Sequence, residues 1–347
     1  MEKRRLGRTD LSVSVLCLGT MMYGDQINEA DAAAQMDRCL EREITFFDTA
    51  ELYTIPPKPE TQGESERIVG RWIKARGVRD KIILASKITG RSSMPWLRDG
   101  DETRLTAAQI KAAIERSLTN LETDYLDLYQ THWPDRRLQL FGGDLRGFHD
   151  LGDDAVALEE TLSAMTDLQR EGKIRHFGLS NETSWGVMRH LAVADAHSFI
   201  RPQSIQNGYS LINRTFETGL AEIALREGVG LLAYSPIGQG ALTGKYLNGA
   251  TPPGSRGALY QRMQRYETPS ADDAIRAYLD IAKDAGADPA ALAMQFVTTR
   301  PFVTSNIFGA RTVEQLETIL SSLDLEWTQD LEAGVNNVHA RLPNPCP

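Results

Sequence analysis

Cysteine is scarce in this 347-residue sequence: Cys17, Cys39 and Cys346 are all there is. They show neither metal-ligand spacing nor a disulfide framework, a usage that suits a reducing cytoplasm. No apolar run approaches the roughly 18 residues that a membrane span needs. The opening Met1-Glu2-Lys3-Arg4-Arg5-Leu6 is charged with no apolar stretch behind it, unlike a signal peptide. Positive charge is in deficit. A formal net charge of -9 argues against a general nucleic-acid surface but leaves room for a local basic phosphate pocket. No Gly-x-Gly-x-x-Gly follows the first strand, which argues against a Rossmann dehydrogenase. No metal-binding set is evident, so difficult chemistry would belong to an organic cofactor. No Pro/Ser-rich linker divides the chain, and we expect one domain over residues 1–347.

Present instead is a repeated alternation of short apolar strands with helical periodicity. The spacing predicts a hairpin turned at Gly7-Arg8-Thr9-Asp10 and then strands at Val15–Gly19, Thr45–Asp48, Ile82–Ser86 and Tyr125–Thr131. Four more follow at Ile174–Leu179, Gln203–Gln206, Val229–Ala233 and Asn306–Phe308. Helices are expected between them, among them 29–42 capped by Asn28, 64–75, 107–121 capped by Thr106, 155–171, 181–196 and 216–227, with an extra one at 331–340. Parallel neighbours need crossover helices, and eight such units close an α/β (β/α)8 TIM barrel. Long connections interrupt the pattern at 89–105, at 133–154 after the fourth strand and at 236–269 after the seventh.

Polar residues stop the second, third and fourth strands: Asp48 with Tyr53 five residues on, Lys87, and His132. A tyrosine hydroxyl is a weak acid, a neighbouring ammonium favours its phenolate, and a carboxylate compensates the buried ammonium. His132 can orient a carbonyl or relay a proton. Each residue alone also has a plainer reading: Asp48 as a loop hydrogen-bonder, Tyr53 as packing, Lys87 as a solvated strand end, His132 as a core histidine.

The stretches FFDTAELY, ASK, QTHWP, FGLSN and LLAYSPIGQGALTGKY, in that order, resemble the aldo-keto reductase superfamily over roughly Leu6 to Leu320. The resemblance is nearest to its bacterial Tas-like reductases, related to the potassium-channel β-subunits. It implies a barrel plugged by the hairpin, a catalytic tetrad of Asp48, Tyr53, Lys87 and His132, and NADPH as cofactor. By the same resemblance Ser180, Asn181 and Gln206 would hold the carboxamide, and Tyr234 would stack on the nicotinamide. Ser235, Ile237, Gly240, Leu242 and Lys245 would follow the pyrophosphate. Gly309, Arg311, Thr312 and Gln315 would meet the adenosine phosphate. The chain departs from the family at Gly309-Ala310, where Lys-Ser is frequent, and at Ile319, where many members carry Asn.

Met22, Tyr23, Trp133, Phe141 and Phe148 are candidates for a substrate pocket. The implied activity is NADPH-dependent reduction of an aldehyde or ketone, with Tyr53 as acid. The alternative is a cofactor-binding regulatory subunit of the channel type with little turnover. A small carbonyl compound is the expected partner, with neither nucleic acid nor membrane, while monomer and homo-oligomer stay open.

Overall fold

The computed structural model describes residues 1–139, 152 and 154–346. Strands β1 (Lys3–Arg5) and β2 (Ser12–Ser14) form the hairpin, with Lys3 opposite Ser14. Eight parallel strands then close a barrel: β3 (Leu16–Gly19), β4 (Phe46–Asp48), β5 (Ile83–Ile88), β6 (Leu126–Thr131), β7 (Ile174–Ser180), β8 (Pro202–Gly208), β9 (Gly230–Tyr234) and β10 (Val303–Phe308). β10 pairs with both β9 and β3, so each barrel strand has two neighbours and no edge is left open.

Strand side chains alternate between the barrel axis and the surrounding helices. Cys17, Phe46, Ala85, Leu128, Leu232 and Ile307 point inward and form one apolar cluster. Leu6, Leu11 and Val13 of the hairpin join that cluster, which is how the hairpin plugs the barrel. The outward-facing side chains pack with the helices in a second, larger core. Two residues past Phe46, Ala85 and Leu128 on the same inward face stand Asp48, Lys87 and Gln130. The period of the strand thus lifts a polar layer above the apolar one.

Side chains mark where helices start. Asn28 accepts from the Asp31 N–H at 2.9 Å, and Thr106 accepts from the Gln109 N–H at 3.3 Å, as the sequence predicts. Three expected helices begin later than their periodicity suggests. After β7, Asn181 turns into the left-handed region (φ 52) and Thr183 caps a helix that starts at Ser184. The helix expected from Ala155 starts at Leu158, because the Val156 N–H is taken by Asp135 at 2.8 Å. Gly219 separates the single turn Thr215–Thr218 from the helix Leu220–Glu227. The 236–269 connection is not structureless: it holds short turns and a helix, Arg256–Tyr260, capped by Ser255. Among the described residues no helix is long and apolar enough to cross a membrane.

Candidate active site

Asp48, Lys87 and Gln130 end their strands at one rim of the barrel, and Gln206 of β8 joins them. Lys87 is fully buried and donates to Asp48 Oδ2, to the Thr49 carbonyl at 2.8 Å and to the Tyr53 hydroxyl at 3.4 Å. Asp48 Oδ1 accepts from Gln206 Nε2 at 2.9 Å and Gln130 Nε2 at 3.1 Å. The carboxylate therefore has partners on both oxygens, as a buried polar group requires. His132 Nε2 lies 3.5 Å from the Tyr53 oxygen, and the two rings meet edge-on with centroids 5.4 Å apart.

Burial sets the proton affinities first. It pulls the Lys87 ammonium down, but Asp48 and Tyr53 together outweigh it and leave the net shift upward. For Tyr53 burial is again the largest influence, and it lifts the phenol above its ordinary value although Lys87 draws it down. The nearby ammonium alone would lower Tyr53, as expected from the sequence; burial reverses the net direction. Burial, then the Lys87 charge, holds His132 well below its ordinary value, which keeps the imidazole neutral.

Tyr53 and His132 face a cavity of about 800 Å³ above the barrel. Near them the lining is apolar: Met21, Met22, Leu52, Ile55, Met94 and Trp133. Ser180, Asn181, Gln206 and Tyr234 lie on the strand exits beside it. Asn181 Nδ2 donates to the His132 carbonyl at 2.8 Å, and the Tyr234 hydroxyl donates to Asn181 Oδ1 at 2.6 Å, which ties the amide to the segment that carries His132. Ser235 and Gln239 take left-handed backbone (φ 56 and 55), as do Gly238 and Gly240, and the chain after β9 curls along the cavity.

Farther along, Lys245, Arg256, Arg262, Arg265 and Arg311 line the cavity. Its only carboxylates among the described residues are Asp48, paired with Lys87, and Asp288, which caps the helix Pro289–Thr298. In a chain of net charge -9 this cationic concentration fits an anionic ligand. Arg256 Nε and the Tyr246 hydroxyl are buried without a hydrogen-bond partner. Burial, then Arg262, makes Arg256 easier to deprotonate than an ordinary guanidinium, as expected of cations gathered for an anion.

Most of the candidate residues gather here: Met22, Trp133, Ser235, Ile237, Gly240, Lys245, Gly309, Arg311 and Gln315 all line the cavity. Four stand apart from it. Lys87 is fully buried and meets the cavity only through its partners Asp48 and Tyr53. Tyr23 is buried behind the wall and its hydroxyl donates to Gln35 at 3.3 Å. The Leu242 side chain packs into the main core. Thr312 caps the helix Val313–Ser321 through the Gln315 N–H. Phe141 and Phe148 lie outside the described residues.

Sequence reasoning missed Gln130, Leu52, Ile55, Met94 and the three arginines after β9. Gln130 was findable, since it shares the inward parity of Leu128 on β6. The arginines carried no local signal, because only the path of the long connection brings them to the cavity.

Similarity to known proteins extends over most of the chain. The model of the aldo/keto reductase family matches residues 15–337. The Escherichia coli (strain K12) protein named Protein tas is 47% identical over 347 residues, the whole of both chains. A Babesia bovis aldo-keto reductase is 39% identical over 280 residues, covering 76% of this chain and 98% of its own. A probable voltage-gated potassium channel subunit beta of Arabidopsis thaliana is 28% identical over 94% of this chain and 92% of its own. With a closed eight-stranded barrel and a match over nearly its full length, the chain belongs to the aldo/keto reductase family, a family of oxidoreductases.

Proposed function

We propose that this chain is an NADPH-dependent reductase of aldehydes and ketones in which Tyr53 is the general acid. The observation that carries this reading is the buried Lys87 ammonium, held between Asp48 and the Tyr53 hydroxyl at the rim of the cavity. A nicotinamide dinucleotide would supply the hydride. Ser180, Asn181 and Gln206 are the amide and hydroxyl groups suited to its carboxamide, and Tyr234 is the ring beside them. Ser235, Ile237 and Gly240 bring main-chain groups to the cavity, and Lys245, Arg311 and Gln315 bring charge and hydrogen bonds for its phosphates.

Tyr53 stays protonated at neutral pH and can donate to a carbonyl oxygen as charge develops there. Lys87 stabilises the phenolate left behind, and Asp48 keeps Lys87 charged. Neutral His132, within reach of the same hydroxyl, orients the carbonyl oxygen toward Tyr53. Leu52, Met94 and Trp133 receive the organic part of the substrate and exclude water from the proton path.

The test is multiple-turnover oxidation of NADPH with a panel of aldehydes, for the wild type and for Tyr53→Phe. Loss of one general acid costs about 10²–10⁴ in rate. Turnover that falls by that factor with NADPH binding intact supports the reading. Unchanged turnover in Tyr53→Phe refutes the acid assignment. A wild type that binds NADPH yet reduces no carbonyl favours the regulatory-subunit alternative.

A further inference from the structure

A chain of buried contacts runs from the Asp48–Tyr53 segment into the 89–105 connection. Glu51, two residues before Tyr53, is 1% exposed. A carboxylate buried to that degree needs a partner. Arg98, 6% exposed, supplies it with two bonds, Nη2 to Oε1 at 2.7 Å and Nη1 to Oε2 at 3.0 Å. Glu51 Oε1 also accepts the Thr89 N–H at 2.7 Å, and the Glu51 N–H donates to the Lys87 carbonyl at 3.2 Å. Glu51 is thus joined, by side chain and backbone, to the exit of the strand that carries Lys87.

On its other side Arg98 donates to the Leu97 carbonyl at 2.8 Å and to Gln109 at 3.1 Å. Leu97 packs with Leu52 and Trp133, and Ile55, Met94 and Trp96 close around them. The Trp133 ring nitrogen is pinned by the Arg91 carbonyl at 2.8 Å. Met94, Leu52 and Trp133 from this cluster face the cavity beside Tyr53 and His132.

We propose that Glu51 and Arg98 are a positioning pair. It sets the Tyr53 hydroxyl over Lys87 and presents Met94, with Leu52 and Trp133, as the apolar wall for the substrate's organic group. A fully buried ion pair adds little net stability over apolar residues of the same volume, but a two-bond fork fixes direction. The direction here joins the two backbone segments whose side chains must meet for proton transfer. This inference rests on the carbonyl-reductase reading above.

The test uses Glu51→Gln, which keeps an oxygen for Thr89, Arg98→Met, and the double variant Glu51→Gln/Arg98→Met, which removes both charges together. Thermal stability and NADPH affinity are recorded first. Then kcat and KM are measured for 4-nitrobenzaldehyde and for propanal. A displacement of about 1 Å at a reacting group costs about 10²-fold, so each single variant should lose on that order in kcat. NADPH affinity should change by no more than about threefold, and the double variant should be no slower than the worse single one, since partners in one contact act as a unit. Met94→Ala, with the ion pair intact, should narrow the KM gap between the two aldehydes.

Wild-type kcat in folded single variants would overturn the proposal. So would additive losses in the double variant, or losses of kcat and NADPH affinity in equal measure, which mark a general structural role. An unchanged KM gap in Met94→Ala would remove the wall. Failure of the underlying reading appears separately, as a wild type inactive toward every carbonyl.

Discussion

Replacing Lys87 with methionine keeps most of the aliphatic stem and deletes the charge on which the proposed chemistry depends. Lys87 Nζ is 3.4 Å from the Tyr53 oxygen. At an effective dielectric of about 20, unit charges at that distance interact by about 5 kcal/mol, an upper limit to what the phenolate loses. Burial already raises Tyr53, Lys87 is the largest influence opposing it, and Asp48 pushes in the same direction as burial. Without Lys87 the phenolate would be disfavoured by up to roughly three and a half decades. Only part of that charge has formed in the transition state, so reduction should slow by about 10²–10³.

The same change leaves Asp48 buried with, among the described residues, only Gln130 and Gln206 as side-chain partners. Breaking a buried pair this way costs about 3–5 kcal/mol of stability. Thermal unfolding is therefore measured first, and Lys87→Met/Asp48→Asn, which removes the uncompensated charge, should recover part of the loss without restoring turnover. The assay is steady-state reduction of 4-nitrobenzaldehyde, with NADPH binding followed by fluorescence. In the reverse direction, alcohol oxidation needs the phenolate, so its rise with pH should move to higher pH in Lys87→Met. A folded Lys87→Met protein within about tenfold of wild-type kcat would refute the reasoning, because that is under 1.4 kcal/mol of barrier.

Arg311→Ala should weaken NADPH by about one to two decades and barely move NADH, since charged hydrogen bonds lost on truncation cost roughly 1.5–3 kcal/mol. Equal losses by titration would refute Arg311 as the reader of the 2′-phosphate; in the structure it donates to the Gly254 carbonyl, a bond it must share or exchange. His132, held well below its ordinary value by burial and then Lys87, stays neutral as pH falls through the unperturbed histidine range. The kcat of reduction should therefore be flat from about pH 6 to 8, and an inflection near about pH 6.5 that vanishes in His132→Asn would contradict this. Gly90→Ala would set a Cβ 2.1 Å from the Trp133 carbonyl oxygen. It should cost about 1–3 kcal/mol in denaturant unfolding, and unchanged stability would show that the 90 and 133 segments move apart freely.

Much of this protein is local enough to be legible without coordinates. Alternating apolar residues mark the strands, helical spacing marks the crossovers, and Asn28 and Thr106 mark helix starts, because each depends on neighbours within a few residues. The positions of Asp48, Lys87 and His132 at or just past strand ends, with Tyr53 five residues beyond Asp48, were legible too. Other features depend on residues far apart in the chain. Asp48 draws one amide from a residue 82 positions away and another from one 158 positions away. Whether Tyr53 rises or falls in proton affinity turns on how deeply the closed barrel buries it against how near it brings Lys87. Tyr23 and Met22 are adjacent in sequence, yet the turn after β3 sends one behind the wall and the other into the cavity. The gathering of Arg256, Arg262 and Arg265 follows only from the path of the β9 connection over the rim. The amino-acid order therefore determined the elements and the chemistry carried at their ends. The closed barrel decided which of those groups meet, how dry they are, and so which charge prevails.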